Sequence, residues 1–200
     1  ELLELAVDIS RAFAKFTNDK LSFSAGLALF SAGYPISKMA EITGMLESAA
    51  KENDKNSIAL FGFDTEQRDG ENKVRCQHVY HWHEFTDKVC AEKLQFLRQH
   101  LDLEGNAKDT KLAAGIALLY RLLNLIDEAD KADKDDINLA RFAYTLGRMQ
   151  PEKNSSVVKQ QCYNEFSEQM YKWFKDADDR KQLRTALNLI IYYQRDAKEE

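Results

Sequence analysis

The chain has 200 residues, 44% hydrophobic and 30% charged, with a net charge of −5. That leaves room for one medium core or two small ones, and excludes both a disordered chain and a general trap for polyanions. Two prolines and eight glycines are few for an all-β protein, no apolar run reaches the ~20 residues of a membrane span, and three unevenly spaced cysteines fit a reducing cytoplasm better than a disulfide framework.

The sequence opens at Glu1 directly in a helical pattern, which predicts a piece of a longer chain. Leu2, Leu5, Ala6, Ile9, Phe13 and Phe16 recur every three to four residues, the mark of an amphipathic helix, and Asn18 and Asp19 end it. Residues 21–30 then alternate. Leu21, Phe23, Ala25, Leu27 and Leu29 share one face of a predicted strand; Ser22, Ser24, Gly26 and Ala28 share the other. A small-residue face means close approach to the backbone by a packed helix or by a ligand, and the helix is the commoner cause. Gly33-Tyr34-Pro35 is a turn, and Pro35 opens a helix because it has no N–H to leave unsatisfied. Its stripe is Ile36, Met39, Ala40, Thr43, Leu46 and Ala50, and it runs out near Lys51 and Asn53.

Residues 57–63 read as a short buried strand. Strand, helix, strand in this order predicts a parallel pair. Residues 64–73 are expected to be a polar loop, and 74–82 another strand at the sheet edge. From Glu84 onward the pattern is helical, with helices predicted at 84–102, 110–128, 135–149, 156–175 and 178–196. Short polar connections make them antiparallel neighbours in a bundle. Helices 110–128 and 178–196 are apolar round most of their circumference and belong at its centre. On 156–175, Tyr163, Tyr171 and Trp173 lie off the main stripe, which suits either a partner surface or the edge of the core. The expected organisation is an incomplete α/β piece at 1–83, with missing strands upstream, and a helical bundle at 84–200.

Two constellations invite a metal. Cys76, His78, His81, His83 and Cys90 hold zinc-ligand types, but on a strand Cys76 and His78 face away from His81 and His83 and do not converge. Asp127/Glu128, Asp130, Asp133, Asp135/Asp136 and Asp178/Asp179 lie at helix ends and in polar connections, where Asp135 or Asp136 would cap the next helix. Walker lysine loops, dinucleotide-binding glycine fingerprints and nucleophile elbows are absent from the sequence.

Three further stretches carry a resemblance. Ser22-Phe23-Ser24-Ala25-Gly26-Leu27-Ala28, Tyr34-Pro35-Ile36-Ser37-Lys38-Met39-Ala40, and Ala49-Ala50-Lys51 followed by Lys55-Asn56 resemble a palm domain just downstream of its catalytic hairpin. Diguanylate cyclases have a similar run. With Val79-Tyr80-x-Trp82-x-Glu84-Phe85, Asn138-Leu139-Ala140-Arg141-x-Ala143-Tyr144 and Ala186-Leu187-x-x-x-Ile191-Tyr192, the chain resembles the C-terminal part of the large, polymerase-like subunit of type III-A (Csm-type) CRISPR effector complexes over nearly its whole length.

The resemblance implies an α+β, mostly helical fold: a partial ferredoxin-like palm of the GGDEF kind, then an all-α bundle that docks on other subunits. It implies an antiviral subunit that takes ATP as substrate and joins it into cyclic oligoadenylates when target RNA binds, with Mg or Mn held by residues outside this chain. The family's Gly-Gly-Asp-Asp turn and its nuclease domain are absent from this sequence, so no catalytic or metal residue is assigned here and the chain alone is expected to be inactive. Implied partners are a small helical subunit and other members of the complex, with guide and target RNA met indirectly and no membrane; the implied location is cytoplasmic. Lys51 matches the family lysine that reaches a triphosphate, and is otherwise a solvated lysine favoured by the helix dipole. Ser24 and Gly26 would let nucleotide approach the sheet, and Arg121 would reach over the same site or stay at the surface. A purely structural interaction module and a diguanylate-cyclase relative are the competing readings.

Overall fold

The computed structural model describes residues 2–68, 71–107, 109–131 and 135–199, in two units, Glu1–Lys88 and Val89–Glu200. In the first unit, helix α1 (Leu2–Thr17) ends where Asn18 and Asp19 take φ of 49° and 57°. These residue types tolerate the left-handed region better than most. Its apolar stripe is largely open: Ala6 is buried, while Leu2, Leu5, Ile9 and Phe16 are 45–87% exposed. Phe13 packs 6.1 Å from Phe23, which stacks on Trp82, and the Trp82 indole N–H donates to the Phe23 carbonyl at 2.7 Å.

Strand β1 (Ala25–Leu27) is much shorter than the alternation in residues 21–30 predicts. A strand extends only as far as a partner supplies hydrogen bonds, and its partner β2 (Ser57–Leu60) has four residues. The two are parallel as expected, with Ala25 opposite Ile58 and Leu27 opposite Leu60. Between them runs α2 (Ile36–Glu52), opened by Pro35. Leu46 and Ala50 are its buried residues and form the core of this unit with Ala59; Ile42, Phe63 and Val79 pack against them. Ile36 and Ala40, assigned to the buried stripe from sequence, are exposed instead.

Two expectations between residues 64 and 82 are corrected. The polar loop is a hairpin, β3 (Asp64–Arg68) against β4 (Glu71–Arg75), whose register sets acidic against basic positions at 64/75, 66/73 and 68/71. Hydrophobic alternation does not report such pairing. The strand expected at 74–82 is broken: residue 75 closes β4, and the sheet resumes at β5 (Val79–His81), antiparallel to β2. The sheet order is β1-β2-β5, and β5 takes the edge among the described residues. Helix α3 (Trp82–Glu84) leads into a π-helix (Phe85–Leu94), within which the division between the units falls.

The second unit is mostly helical. After α4 (Gln95–His100), a two-residue parallel pair, β6 (Leu101–Asp102) with β7 (Leu112–Ala113), interrupts the helical pattern. Leu101 and Leu112 are both buried there, so α5 starts only at Ile116 and runs to Lys131, six residues later than the predicted helix. Helices α6 (Asp135–Gly147), α7 (Val157–Lys175) and α8 (Ala177–Glu199) follow. Ser156 caps α7 by accepting the Lys159 N–H, and Asp176 caps α8 by accepting the Asp179 N–H at 2.9 Å. The capping expected of Asp135 or Asp136 falls on side chains outside the described ones.

Helix α5 packs on α6 and α8, and α7 packs on α6 and α8, so the four close a ring. Around this core Phe142 stacks on Phe174 with ring centroids 4.1 Å apart. On α8 every residue from Gln182 to Leu187 is buried, the polar Gln182, Arg184 and Thr185 included, so burial passes round a full turn of the helix and takes in more than its apolar residues. Trp173 is a core residue, 2% exposed, with its indole N–H on the Glu92 carboxylate; Tyr163 and Tyr171 are half-buried. The partner-surface reading therefore does not apply to Trp173.

Candidate functional site

The small-residue face of β1 meets helix α2. A Cβ on Gly26 would lie 2.5 Å from the Glu47 amide nitrogen, 2.7 Å from the Thr43 carbonyl oxygen and 2.8 Å from the Leu46 Cβ. The glycine is needed because a helix backbone rests on it. That accounts for Gly26 without a ligand. One turn further along, Lys51 Nζ pairs with Glu47 Oε1 at 2.6 Å, so Glu47 touches β1 through its backbone and Lys51 through its carboxylate. The Lys51 side chain is 56% exposed and stands at the carboxyl end of α2, where the helix dipole favours a cation. Ser24 is half-buried, one residue before β1. Arg121 is exposed on α5, in the other unit.

Just beyond Lys51, the Lys55-Asn56 pair that is part of the palm resemblance lies in a turn whose backbone form the sequence did not show. Asp54, Lys55 and Asn56 have φ of 57°, 58° and 45°, a run of three non-glycine residues in the left-handed region. Such conformations cost energy and persist only where surroundings enforce them. Here the enforcing group is Ser57, fully buried at the start of β2. Its hydroxyl donates to the Lys55 backbone carbonyl at 2.5 Å, with the Asn53 backbone carbonyl at 3.0 Å, and accepts from the Asn53 side-chain Nδ2 at 3.1 Å. His81 Nδ1 lies 3.2 Å away from the same oxygen. The available signal was the density of Asn and Asp at 53, 54 and 56, residue types suited to left-handed turns.

The zinc-ligand types are dispersed. His81 is on Ser57 and stacks on His83, His78 packs edge-on to Phe61, and Cys76 Sγ approaches the Leu60 carbonyl at 3.9 Å. Among the described residues no three His, Cys, Asp or Glu side chains are grouped to hold a metal ion. In the second unit Asp127 and Asp130 pair with arginines of α8: Arg184 bonds both, and Arg180 bonds Asp130 at 2.9 Å. Glu128 pairs with Arg141 on α6. These carboxylates tie helices together. A cavity of about 660 Å³ in this unit is lined by Arg98, Asp102, Lys111, Tyr193 and Gln194, with the Arg98 guanidinium 4.6 Å over the Tyr193 ring.

Residues 1–59, which carry β1, α2 and Lys51, match the second palm domain of Cas10/Cmr2. Residues 94–196 match the second helical domain of the CRISPR RNA silencing complex Cmr2 subunit. The chain belongs to the Cas10/Cmr2 family. Among Cas10 relatives, the subtype III-A CRISPR system single-strand-specific deoxyribonuclease Cas10/Csm1 of Mycobacterium tuberculosis is 35% identical over the whole of this chain and 21% of its own length. The Cas10/Csm1 of Streptococcus thermophilus is 32% identical over 96% of the chain and 22% of its own, and that of Enterococcus italicus 30% over 98% and 21%. The chain thus spans about a fifth of the length of these Cas10 relatives. Among the described residues no helix is long and apolar enough to cross a membrane.

Proposed function

We propose that this chain is part of a type III-A effector large subunit that converts ATP into cyclic oligoadenylates once target RNA is bound. The observation that carries the reading is Lys51, an exposed ammonium at the end of α2 inside the segment matched to the second palm domain. Joining ATP 3′ to 5′ expels pyrophosphate, so cations must neutralise the triphosphate as charge develops on it. Magnesium or manganese, held by residues outside this chain, would supply the rest of that charge. Ser24 and Arg121 are further candidates for nucleotide contact. The sequence contains no Gly-Gly-Asp-Asp turn, so the chain by itself is expected to make no oligoadenylate from ATP and magnesium.

Lys51→Ala in the complete effector tests the reading. Losing one charge-assisted phosphate contact costs about 1.5–3 kcal/mol, or one to two decades of rate if realised in the transition state. Oligoadenylate synthesis should fall by that factor while target-RNA cleavage continues. The exposed pair with Glu47 contributes only about 0.3–0.5 kcal/mol to stability, so the fold should survive its loss. Unchanged synthesis would leave Lys51 as a helix-end lysine.

A docking role for the helical unit is the second reading and is compatible with the first. Tyr144 on α6 is 69% exposed and Val157 at the start of α7 is 80% exposed, which suits a protein partner such as a small helical subunit.

A further inference from the structure

We infer that Ser57, with Asn53 and His81, is a positioning residue for the nucleotide-binding end of α2, an assignment that rests on the oligoadenylate reading and on Lys51 as a phosphate contact. The hydroxyl is fully used. Its one proton goes to the Lys55 carbonyl, the shorter of its two acceptor contacts at 2.5 Å against 3.0 Å for the Asn53 carbonyl. Its lone pairs accept the Asn53 side-chain Nδ2–H at 3.1 Å and, with the proton on Nδ1, the His81 ring N–H at 3.2 Å. Ser57 and His81 are also register partners across β2 and β5, so the ring is delivered to the hydroxyl by the sheet.

The hub acts on Lys51 through the backbone. The Lys55 N–H donates to the Lys51 carbonyl at 3.1 Å, and the Asn53 N–H to the Ala49 carbonyl at 3.1 Å, so the left-handed turn closes the last turn of α2. On its far side the Asn56 carbonyl accepts the Trp82 N–H at 3.1 Å. Three residues in the left-handed region are held between two fixed ends, and Ser57 is the buried group joining the turn to the sheet. Without the hydroxyl, the turn has a more relaxed alternative and the end of α2, with Lys51, loses its fixed direction. Positioning errors near 1 Å are enough to weaken a phosphate contact. The exposed lysine of the turn itself, Lys55, would move with it.

The test uses the full-length subunit assembled in its effector complex with target RNA, and measures KM and kcat for ATP in oligoadenylate synthesis. Ser57→Ala is expected to raise KM about tenfold while target-RNA cleavage, an index of assembly, is unchanged. His81→Phe, which keeps the ring and removes Nδ1, should raise KM by a smaller factor. In the Lys51→Ala background, Ser57→Ala should add nothing, because the hydroxyl acts through that lysine. If Lys51→Ala impairs synthesis and Ser57→Ala does not, the positioning role is overturned and the Lys51 reading stands. If Lys51→Ala has no effect, that reading fails and this inference with it. Should Ser57→Ala also abolish target-RNA cleavage, the hydroxyl is a folding residue and the positioning role is overturned.

Discussion

Asp102 shows how one side chain builds a loop. Burial pushes its carboxyl up, but N–H groups from Ala107, Asn106, Gly105 and Glu104 donate to it and together hold it below the usual carboxylate range. Gly105 sits at φ 79°, so the turn that aims these donors is itself left-handed. A carboxyl depressed by folding contributes its stability above the unfolded value of 3.8, and loses it as pH falls through the folded value below that. The protection of the Gly105, Asn106 and Ala107 amides from hydrogen exchange, taken relative to the unfolded chain at each pH, should therefore hold from neutrality down to about pH 4 and fall below it. Asp102→Asn, which keeps an acceptor but removes the charge, should lower that protection and leave it independent of pH over the same range. The residues of the candidate site differ in how far the sequence exposes them. Gly26 was visible because a small face is a property of spacing, while Lys51 was singled out only by its match to the family lysine. The Ser57 hub was not, since it depends on dihedral angles at residues 54–56 that no hydrophobic period reports.

Glycine at position 26 separates two explanations at the scale of packed elements. If α2 is what requires it, Gly26→Ala forces the Glu47 amide and Thr43 carbonyl away from contacts of 2.5 and 2.7 Å, and backbone does not yield as a flexible side chain does. Overpacking of this kind costs about 1–3 kcal/mol. Thermal unfolding should then shift down by about 4–8 °C per kcal/mol for a domain of this size. A rise in KM for ATP with no thermal shift would instead assign the small face to nucleotide. The elements that were legible in sequence are those with long periods: α1, α2, α7 and α8 lie close to where apolar spacing and end signals place them. What failed was short and set by backbone pairing that no hydrophobic period reports. The β3–β4 hairpin has no apolar alternation to announce it, and the β6–β7 pair is two residues long. The 74–82 segment misled because alternating residues on either side of a break look like one strand.

For the whole molecule, the informative surface is the open stripe of α1. Leu2, Leu5, Ile9 and Phe16 are 53%, 56%, 45% and 87% exposed on one side of a helix whose spacing is that of a buried one. Four exposed apolar side chains on one side of a helix point to an interaction face rather than scattered exposure. The outer edge of β1 also carries no strand among the described residues. Cas10 relatives are about five times the length of this chain, and its match to their second palm domain includes α1. In a subunit of that length, the expected occupant of both features is the rest of the palm, with strands added beside β1 and their faces on α1. Substituting Leu5→Lys together with Ile9→Lys tests this by comparison. In the 200-residue chain these are surface changes, worth about ±0.5 kcal/mol each, and the melting temperature should barely move. In the full-length subunit the same lysines would have to be buried or leave their face unpacked, a loss of several kcal/mol seen as an earlier melting transition. Equal small shifts in both proteins would mean that the stripe remains open in the longer chain and that its apolar residues await a separate partner.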